Sequence, residues 1–130
     1  MRVPTTLLSS LLLILIFVLY SENAEAKPIK ISYYSNKFDG KTTKSGQIYK
    51  KFGKTAASNR YKAGTILHLI YKGKQIKVCV NDTGGFRKFG RDLDVSYGVA
   101  KCLGFLKEGV VLVDSKVVYL PKHKEVCKAI

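Results

Sequence analysis

Residues 80–96 read V-N-D-T-G-G-F-R-K-F-G-R-D-L-D-V-S, and the prediction of the fold starts from this stretch. Apolar, β-branched residues alternate with other residues over positions 76–80, and this period of two is typical of a half-buried strand. We predict that the strand ends at Asn81-Asp82. Gly84-Gly85 then permits a sharp turn, because glycine adopts backbone conformations closed to other residues, and the turn leaves Asp82 near the surface.

A second acidic residue, Asp94, follows Asp82 twelve residues later. Ser96 comes next as a favourable N-cap, so a helix is predicted over residues 96–103, ended by Gly104. Two carboxylates at the ends of neighbouring elements predict a cleft. The alternative is that each aspartate only stabilises a turn or a helix start, which is a common use of this residue.

The predicted strands, including the one that leads to Asp82, share β-branched or alternating apolar residues and are separated by turn-forming residues. They are residues 31–34, 65–71, 75–80, 110–113 and 116–120. Lys72 to Lys74 is a predicted hairpin turn, residues 55–58 a short helical turn, and residues 27–30 a lead outside the sheet. Several short strands with one or two short helices predict a mainly β protein, a small closed barrel.

The first 26 residues are predicted to be a secretory signal peptide. A basic start is followed by an apolar run over residues 7–20, and Ala24-Glu25-Ala26 is a small-x-small cleavage site. The alternative is a retained anchor. No cysteine lies near the cleavage point, so we expect a secreted or periplasmic protein without a lipid or a stable membrane anchor. The barrel domain is predicted over residues 27–121, followed by a basic tail over residues 122–130.

The charge is strongly one-sided. The chain has 23 basic and 9 acidic residues, and removal of residues 1–26 leaves 22 and 7, a net charge of about +15. Such a charge predicts an anionic partner, such as a cell-wall polymer or acidic polysaccharide. Nucleic acid is not expected, because lysine predominates and bidentate phosphate or base recognition favours arginine. The alternative is a basic surface that only confers solubility.

Three cysteines, Cys79, Cys102 and Cys127, follow the predicted signal peptide. An oxidising compartment favours one disulfide and one free thiol, and all three pairings remain open. The position of Cys102 beside the apolar stripe of the predicted helix favours its burial. The cysteine spacing matches no zinc pattern, so neither a metal nor another cofactor is expected.

These motifs resemble those of the rare lipoprotein A (RlpA) family of bacterial double-psi β-barrels. Residues 80–96 are similar to the family signature V-N-D-R-G-P-F…R-x-I-D-L-S. The pattern S-Y-Y…F-D-G-K-x-T-x-x-G over residues 32–46 and Thr55-Ala56-Ala57 with Ala63-Gly64-Thr65 also match, in order and spacing. The resemblance spans about residues 31–113 and implies a six-stranded double-psi β-barrel, expected to be a monomer.

The resemblance also implies an activity, because the family comprises lytic transglycosylases that cut peptidoglycan and form 1,6-anhydro ends. The position of the family's acidic residue is Gln47, which has no titratable proton, and the position of its histidine is Ser58. Asp82 and Asp94 therefore remain as the candidate catalytic carboxylates. The candidate substrate contacts are Tyr33, Tyr34, Gly46, Asn81 and Arg91.

Three functions are consistent with these residues. The first is a barrel that binds peptidoglycan or another cell-wall glycan with weak or lost cleavage. This agrees with the similarity of D-L-D-V-S, which contains Asp94, to the H-F-D-L-S of expansin-like proteins, which loosen walls without net hydrolysis. The second is an active endolytic transglycosylase, and the third is a basic secreted effector with a non-glycan partner.

Overall fold

A computed structural model describes residues 26–84 and 90–128. Residues 1–25 of the predicted signal peptide, and Gly85 of the predicted diglycine turn, lie outside the described residues. The elements are β1 (Lys27–Tyr33), β2 (Thr55–Ala57), β3 (Ile66–Tyr71), β4 (Lys74–Asp82), β5 (Leu93–Val95), α1 (Tyr97–Leu103) and β6 (Val110–Tyr119).

The six strands close into a barrel in the order β1-β5-β2-β4-β3-β6. The pairs β1–β5 and β2–β4 are parallel, whereas the pairs β1–β6, β2–β5, β3–β4 and β3–β6 are antiparallel. The prediction of a mainly β, six-stranded double-psi barrel is confirmed. Closure leaves none of the six described strands at an open sheet edge, so a chain this small can satisfy its backbone hydrogen bonds within the sheet.

Alternating side chains from the strands fill the barrel interior. Leu67 and Leu69 of β3 and Val78 and Val80 of β4 are almost completely buried, as the period of two requires. The remaining core residues are contributed by the other strands and by the region of α1: Ile29, Ile31, Ala56, Leu93, Val95, Val99, Ala100, Leu103, Phe105 and Val113. One continuous core therefore supports the barrel.

The hairpin between β3 and β4 confirms the predicted turn. Lys72 and Gly73 have φ angles of 47° and 78°. Two consecutive positive φ values give a turn whose twist matches that of the flanking strands. This turn brings β4 back along β3 in the register that ends β4 at Asp82.

The helix α1 has the predicted caps. The Ser96 hydroxyl oxygen accepts a hydrogen bond from the Val99 amide at 3.2 Å, and Gly104, with φ 83°, donates its amide to the Ala100 carbonyl oxygen. A glycine accommodates this left-handed end without strain. In the part of the chain that the structure describes, no helix is long and apolar enough to cross a membrane.

Three predictions about local structure are corrected. Residues 55–57 of the predicted helical turn form β2, because their backbone pairs with β4 on one side and β5 on the other, and this pairing overrides the helix propensity of the two alanines. Residues 27–30, predicted as a lead, belong to β1 and pair with residues 112–115 of β6. The two predicted strands after residue 109 form one continuous strand, because Asp114-Ser115 continues the ladder.

The cysteines form a disulfide between Cys79 and Cys127, and Cys102 is free. The predicted burial of Cys102 is wrong, since α1 buries Val99, Ala100 and Leu103 and leaves Cys102 exposed. The disulfide joins the C-terminal segment to β4.

Two further contacts hold the C-terminal segment against the barrel. The Glu125 amide donates to the Ala63 carbonyl oxygen at 2.9 Å. A Cβ atom at Gly64 would lie 2.8 Å from the Cβ of Glu125, so this glycine permits the close approach. Residues 122–128 therefore have fixed contacts near β3 and β4.

We predict that the double variant Cys79→Ala/Cys127→Ala loses about 2 to 4 kcal/mol of unfolding free energy, because the disulfide restricts the unfolded chain. Cys102→Ala is the control and should change this free energy by less than about 0.5 kcal/mol, since its side chain is exposed. Guanidinium unfolding measures both. Equal unfolding midpoints in the double variant and the control would contradict the prediction.

Candidate functional site

Asp82 and Asp94 line one open cavity of about 810 Å³. Asp82 is the last residue of β4, and Asp94 lies in β5. The remaining lining residues come mainly from the end of β1 and the loop after it: Tyr34, Phe38, Lys41, Thr42, Thr43, Lys44, Ala57, Thr83, Gly84 and Arg91. The predicted cleft between the two carboxylates is therefore present.

The Asp82 carboxylate accepts three hydrogen bonds. The Tyr34 hydroxyl donates to Oδ2 at 2.5 Å, and the Lys44 and Thr83 amides both donate to Oδ1 at 2.9 Å. Two of these donors lie far from Asp82 in the sequence, on the segment after β1 and on the following loop. The side chain is thus held in one orientation by three separate parts of the chain.

Tyr34 connects this carboxylate to an aromatic cluster. Its ring is buried, stacks on Tyr49 with centroids 4.5 Å apart, and meets the edge of Phe38 at 5.7 Å. Burial, with a further contribution from the hydrogen bond to Asp82, raises the pKa of Tyr34 far above its ordinary value. The hydroxyl therefore stays protonated and remains a hydrogen-bond donor to Asp82.

Asp94 has a different environment. The Ser32 hydroxyl donates to its Oδ1 at 2.9 Å, and Arg91 donates in turn to the Ser32 oxygen at 2.7 Å. Burial raises the pKa of Asp94, the charge of Asp82 adds to this effect, and the Ser32 hydrogen bond and the Arg91 charge oppose it. Asp94 therefore holds its proton more readily than an aspartate exposed to water does.

The two carboxyl groups are suited to different tasks. Asp82, fixed by three donors, can orient a ligand hydroxyl or stabilise positive charge, whereas Asp94 can supply a proton. Two carboxyls in unlike environments at one cavity form the minimal arrangement for acid-assisted chemistry at a glycosidic bond.

Gln47 lies at another cavity, of about 430 Å³. Its Nε2 donates to the Cys127 carbonyl oxygen at 3.1 Å, and its Oε1 accepts from the Cys127 amide at 3.2 Å. Both polar ends of the carboxamide are thus used to hold the C-terminal segment. Gln47 does not line the cavity of Asp82 and Asp94.

Ser58 is fully buried and its hydroxyl is engaged with the local backbone. The oxygen accepts from the amides of Arg60 at 3.0 Å and Tyr61 at 3.1 Å, and the Ser58 amide donates to the Asp82 carbonyl oxygen at 2.9 Å. Ser58 lines a smaller cavity, of about 260 Å³, that shares Lys44, Asp82 and Thr83 with the larger one. Its role in the structure is to shape the turn after β2.

Of the five predicted substrate contacts, two line the main cavity and three lie outside it. Tyr34 and Arg91 line the main cavity. Tyr33 instead packs its ring against Phe105 and donates its hydroxyl to the Leu106 carbonyl oxygen. Gly46 closes the turn of residues 43–46, and Asn81 is buried and accepts from the Ser45 amide through its carbonyl oxygen. These three residues support the site from outside the main cavity.

Sequence reasoning missed Phe38, Lys41 and Lys44 as cavity residues. Phe38 and Lys41 belong to the F-D-G-K motif that resembles the rare lipoprotein A family, and the motif itself was therefore a sequence signal for these two cavity residues. Lys44 binds the Asp82 carboxylate through its backbone amide, and no pattern of side chains in the sequence indicates such a contact. No group of three or more potential metal ligands occurs within residues 26–84 and 90–128.

We predict that Gln47→Glu lowers the unfolding free energy by about 1 to 3 kcal/mol, because a carboxylate cannot donate to the Cys127 carbonyl oxygen and would leave it facing a negative charge. Gln75→Glu is the matched control, since Gln75 is exposed on β4. Urea unfolding at pH 7 measures both variants. A loss no larger than in the control would show that the Gln47 contact is not structural.

We predict that Asp94→Asn gains stability relative to the unsubstituted protein as pH rises. A carboxyl whose pKa is raised by folding binds its proton more tightly in the folded state. The unsubstituted protein therefore loses unfolding free energy as the pH rises from the ordinary aspartate pKa through the raised pKa of Asp94, and Asp94→Asn does not have this loss. The difference should then level off towards neutral pH.

Denaturant unfolding between pH 3 and pH 8 tests this pH dependence. Asp114→Asn is the control, because Asp114 is exposed on β6, and it should show no comparable trend. The assignment fails if Asp94→Asn instead loses stability relative to the unsubstituted protein as pH rises.

Comparison with known proteins identifies a family. The model of a family described as lytic transglycolase matches residues 28–115. The probable endolytic peptidoglycan transglycosylase RlpA of Aquifex aeolicus is 36% identical over 88 residues, which are 66% of this chain and 38% of that protein. The endolytic peptidoglycan transglycosylase RlpA of Vibrio cholerae is 34% identical over 95 residues, which are 72% of this chain and 36% of that protein.

Solved structures agree on the fold. A Streptomyces papain inhibitor superposes with a TM-score of 0.60 at 20% identity, covering 73% of this chain and 96% of that one. Cerato-platanin 2 from M. perniciosa superposes with a TM-score of 0.52 at 14% identity, covering 72% and 95%. At these identities the likeness concerns the fold alone.

The family match covers more than half of the 130 residues, and the chain spans less than two fifths of the length of each of the two bacterial relatives. The matched region includes all or part of each of the six barrel strands and both carboxylates of the cavity. This chain therefore belongs to the lytic transglycolase family, as a double-psi β-barrel of the rare lipoprotein A type.

Proposed function

We propose that this protein binds a peptidoglycan or related cell-wall glycan strand in the cavity of Asp82 and Asp94, and that its transglycosylase activity is weak or lost. The observation that carries the proposal is the engagement of Gln47. At the position where the family has its acidic residue, this chain has a carboxamide whose two ends hydrogen-bond the backbone of Cys127.

The composition of the cavity supports a glycan ligand. Aromatic rings at Tyr34 and Phe38 lie beside the carboxylates of Asp82 and Asp94 and the hydroxyl-bearing Thr43. Sugars present both apolar C–H faces and hydroxyl groups, so they match a surface of rings next to hydrogen-bond acceptors. The two bacterial relatives are named as peptidoglycan transglycosylases.

Weak or lost cleavage follows from the chemistry that the reaction requires. A leaving glycosidic oxygen must be protonated, and Gln47 carries no titratable proton. The Ser58 hydroxyl, at the position of the family's histidine, accepts hydrogen bonds from two backbone amides. Loss of a general acid alone costs about 10²- to 10⁴-fold in rate, so slow or absent turnover is expected.

A second candidate is residual cleavage with Asp94 as the proton donor. The observation that favours it is the raised pKa of Asp94, caused mainly by burial. In this mechanism Asp82 would stabilise the positive charge that develops on the sugar. Both candidates place the glycan in the same cavity and differ only in the products formed.

We further propose that the protein acts outside the cytoplasm. The apolar run and cleavage site within residues 1–26 are typical of a secretory signal peptide. The Cys79–Cys127 disulfide agrees with an oxidising compartment, because structural disulfides are rare in reducing ones. The excess of basic residues agrees with attraction to an anionic wall.

We predict that the purified protein is retained on peptide-free peptidoglycan strands at 0.5 M salt, and that Asp82→Asn weakens this binding about tenfold or more, because it disturbs a carboxylate fixed by three donors. Asp114→Asn removes the same charge from an exposed site and should bind like the unsubstituted protein. Mass spectrometry of the strands for 1,6-anhydro ends tests cleavage in parallel.

The outcomes separate the candidates. Retention without anhydro ends supports a binding protein. Anhydro ends that disappear in Asp94→Asn support residual catalysis and overturn the inference from Gln47. Retention that collapses at high salt to the same extent in all variants would show general charge attraction and contradict a specific glycan site.

A further inference from the structure

We infer that Phe38, with Lys37 and Lys41 beside its ring, forms a subsite for a carboxylated sugar residue of the bound strand. This inference rests on the proposed function and specifies the chemical class of the ligand on one wall of the cavity. The loop after β1 builds this wall: Phe38 and Lys41 line the cavity together with Asp82 and Asp94, and Lys37 lies beside the Phe38 ring.

The geometry combines an accessible ring with two cations. Phe38 is 37% exposed, and the ammonium groups of Lys37 and Lys41 lie 5.4 Å and 5.6 Å from its ring centroid. Both distances lie in the range of cation–π contacts. The ring therefore holds two positive charges beside its exposed part, where a sugar can contact the ring and a cation together.

The subsite is fixed in place before a ligand arrives. The Phe38 ring meets Tyr34 edge to face at 5.7 Å, and Tyr34 in turn stacks on Tyr49. The backbone of this loop is tied back as well, since Gly40 donates to the Tyr49 carbonyl oxygen at 2.9 Å and Lys41 to the Phe38 carbonyl oxygen at 3.0 Å. Binding thus requires little ordering of the loop.

The charges of the cavity are arranged to orient an acidic ligand. Asp82, the last residue of β4, lies in the lining, and its carboxylate repels a ligand carboxylate placed beside it. Lys37 and Lys41 attract it on the loop. An acidic substituent is therefore directed to the Phe38 wall, which leaves the neutral part of the strand beside the aspartates.

The two lysines have no acidic partner of their own within residues 26–84 and 90–128. Their recorded side-chain contacts there are with the Phe38 ring. The nearest acidic residue in the sequence, Asp39, accepts instead from the Lys51 amide at 2.9 Å. The positive charge of this wall is thus available to a ligand.

The experiment compares two probes and two double variants. The probes are peptide-free peptidoglycan strands, whose lactyl groups carry free carboxylates, and the same strands after reduction of those carboxylates to alcohols. The variants are Lys37→Gln/Lys41→Gln and, as a control with the same charge change, Lys101→Gln/Lys107→Gln, both of whose lysines are exposed near α1. Thermal melting verifies that each variant is folded.

We predict that the unsubstituted protein binds the native strands about tenfold more tightly than the reduced strands, because charge-assisted hydrogen bonds to the lysines are lost on reduction. Lys37→Gln/Lys41→Gln should bring this ratio close to one, and the control should keep it. Phe38→Ala should weaken binding to both probes by a similar factor, because stacking does not depend on the carboxylate.

Each other outcome identifies what has failed. Equal binding of native and reduced strands by the unsubstituted protein overturns the subsite and leaves the proposed function intact. A preference that both double variants lose equally shows general charge attraction and also overturns the subsite. Binding to neither probe overturns the proposed function and the subsite with it.

Discussion

The structure of the site depends on the position of Asp82, where separate segments of the barrel meet. Its side chain accepts from Tyr34 and from the amide of Lys44, and its carbonyl oxygen accepts from the amide of Ser58. The end of β4 is thereby joined to the ends of β1 and β2 and to the loop over the cavity. Because a carboxylate with fixed donors has a defined orientation, the barrel presents Asp82 to the cavity rather than to bulk solvent alone.

The substitution at Gln47 lies on the loop that also donates a backbone amide to Asp82. Gln47 ends the same loop that provides the Lys44 amide, and its carboxamide holds Cys127, which the disulfide joins to Cys79 of β4. Gln47, which the resemblance aligns with the family's acidic residue, therefore stabilises the C-terminal segment here. Asp94 is the carboxyl of the cavity whose pKa is raised, and the proposed residual cleavage would therefore use Asp94 as its proton donor.

Local chemistry accounts for what could be predicted from the sequence. The helix caps at Ser96 and Gly104 and the end of β4 at Asp82 depend on residues close in the chain, and these predictions are confirmed. The Thr55–Ala57 strand depends on partners in β4 and β5, which a Thr-Ala-Ala sequence does not reveal. The contact of Gln47 joins residues 80 positions apart, so no local pattern indicates it.

The most direct test of a glycan site at Asp82 and Asp94 is the titration of backbone amide NMR shifts with a peptide-free peptidoglycan tetrasaccharide. A strand bound in this cavity should cause saturable shifts at the amides of Lys44 and Thr83, which donate to Asp82, and at Phe38 on the neighbouring wall. Shifts confined to elements away from the cavity, such as β6, or shifts that do not saturate, would contradict it.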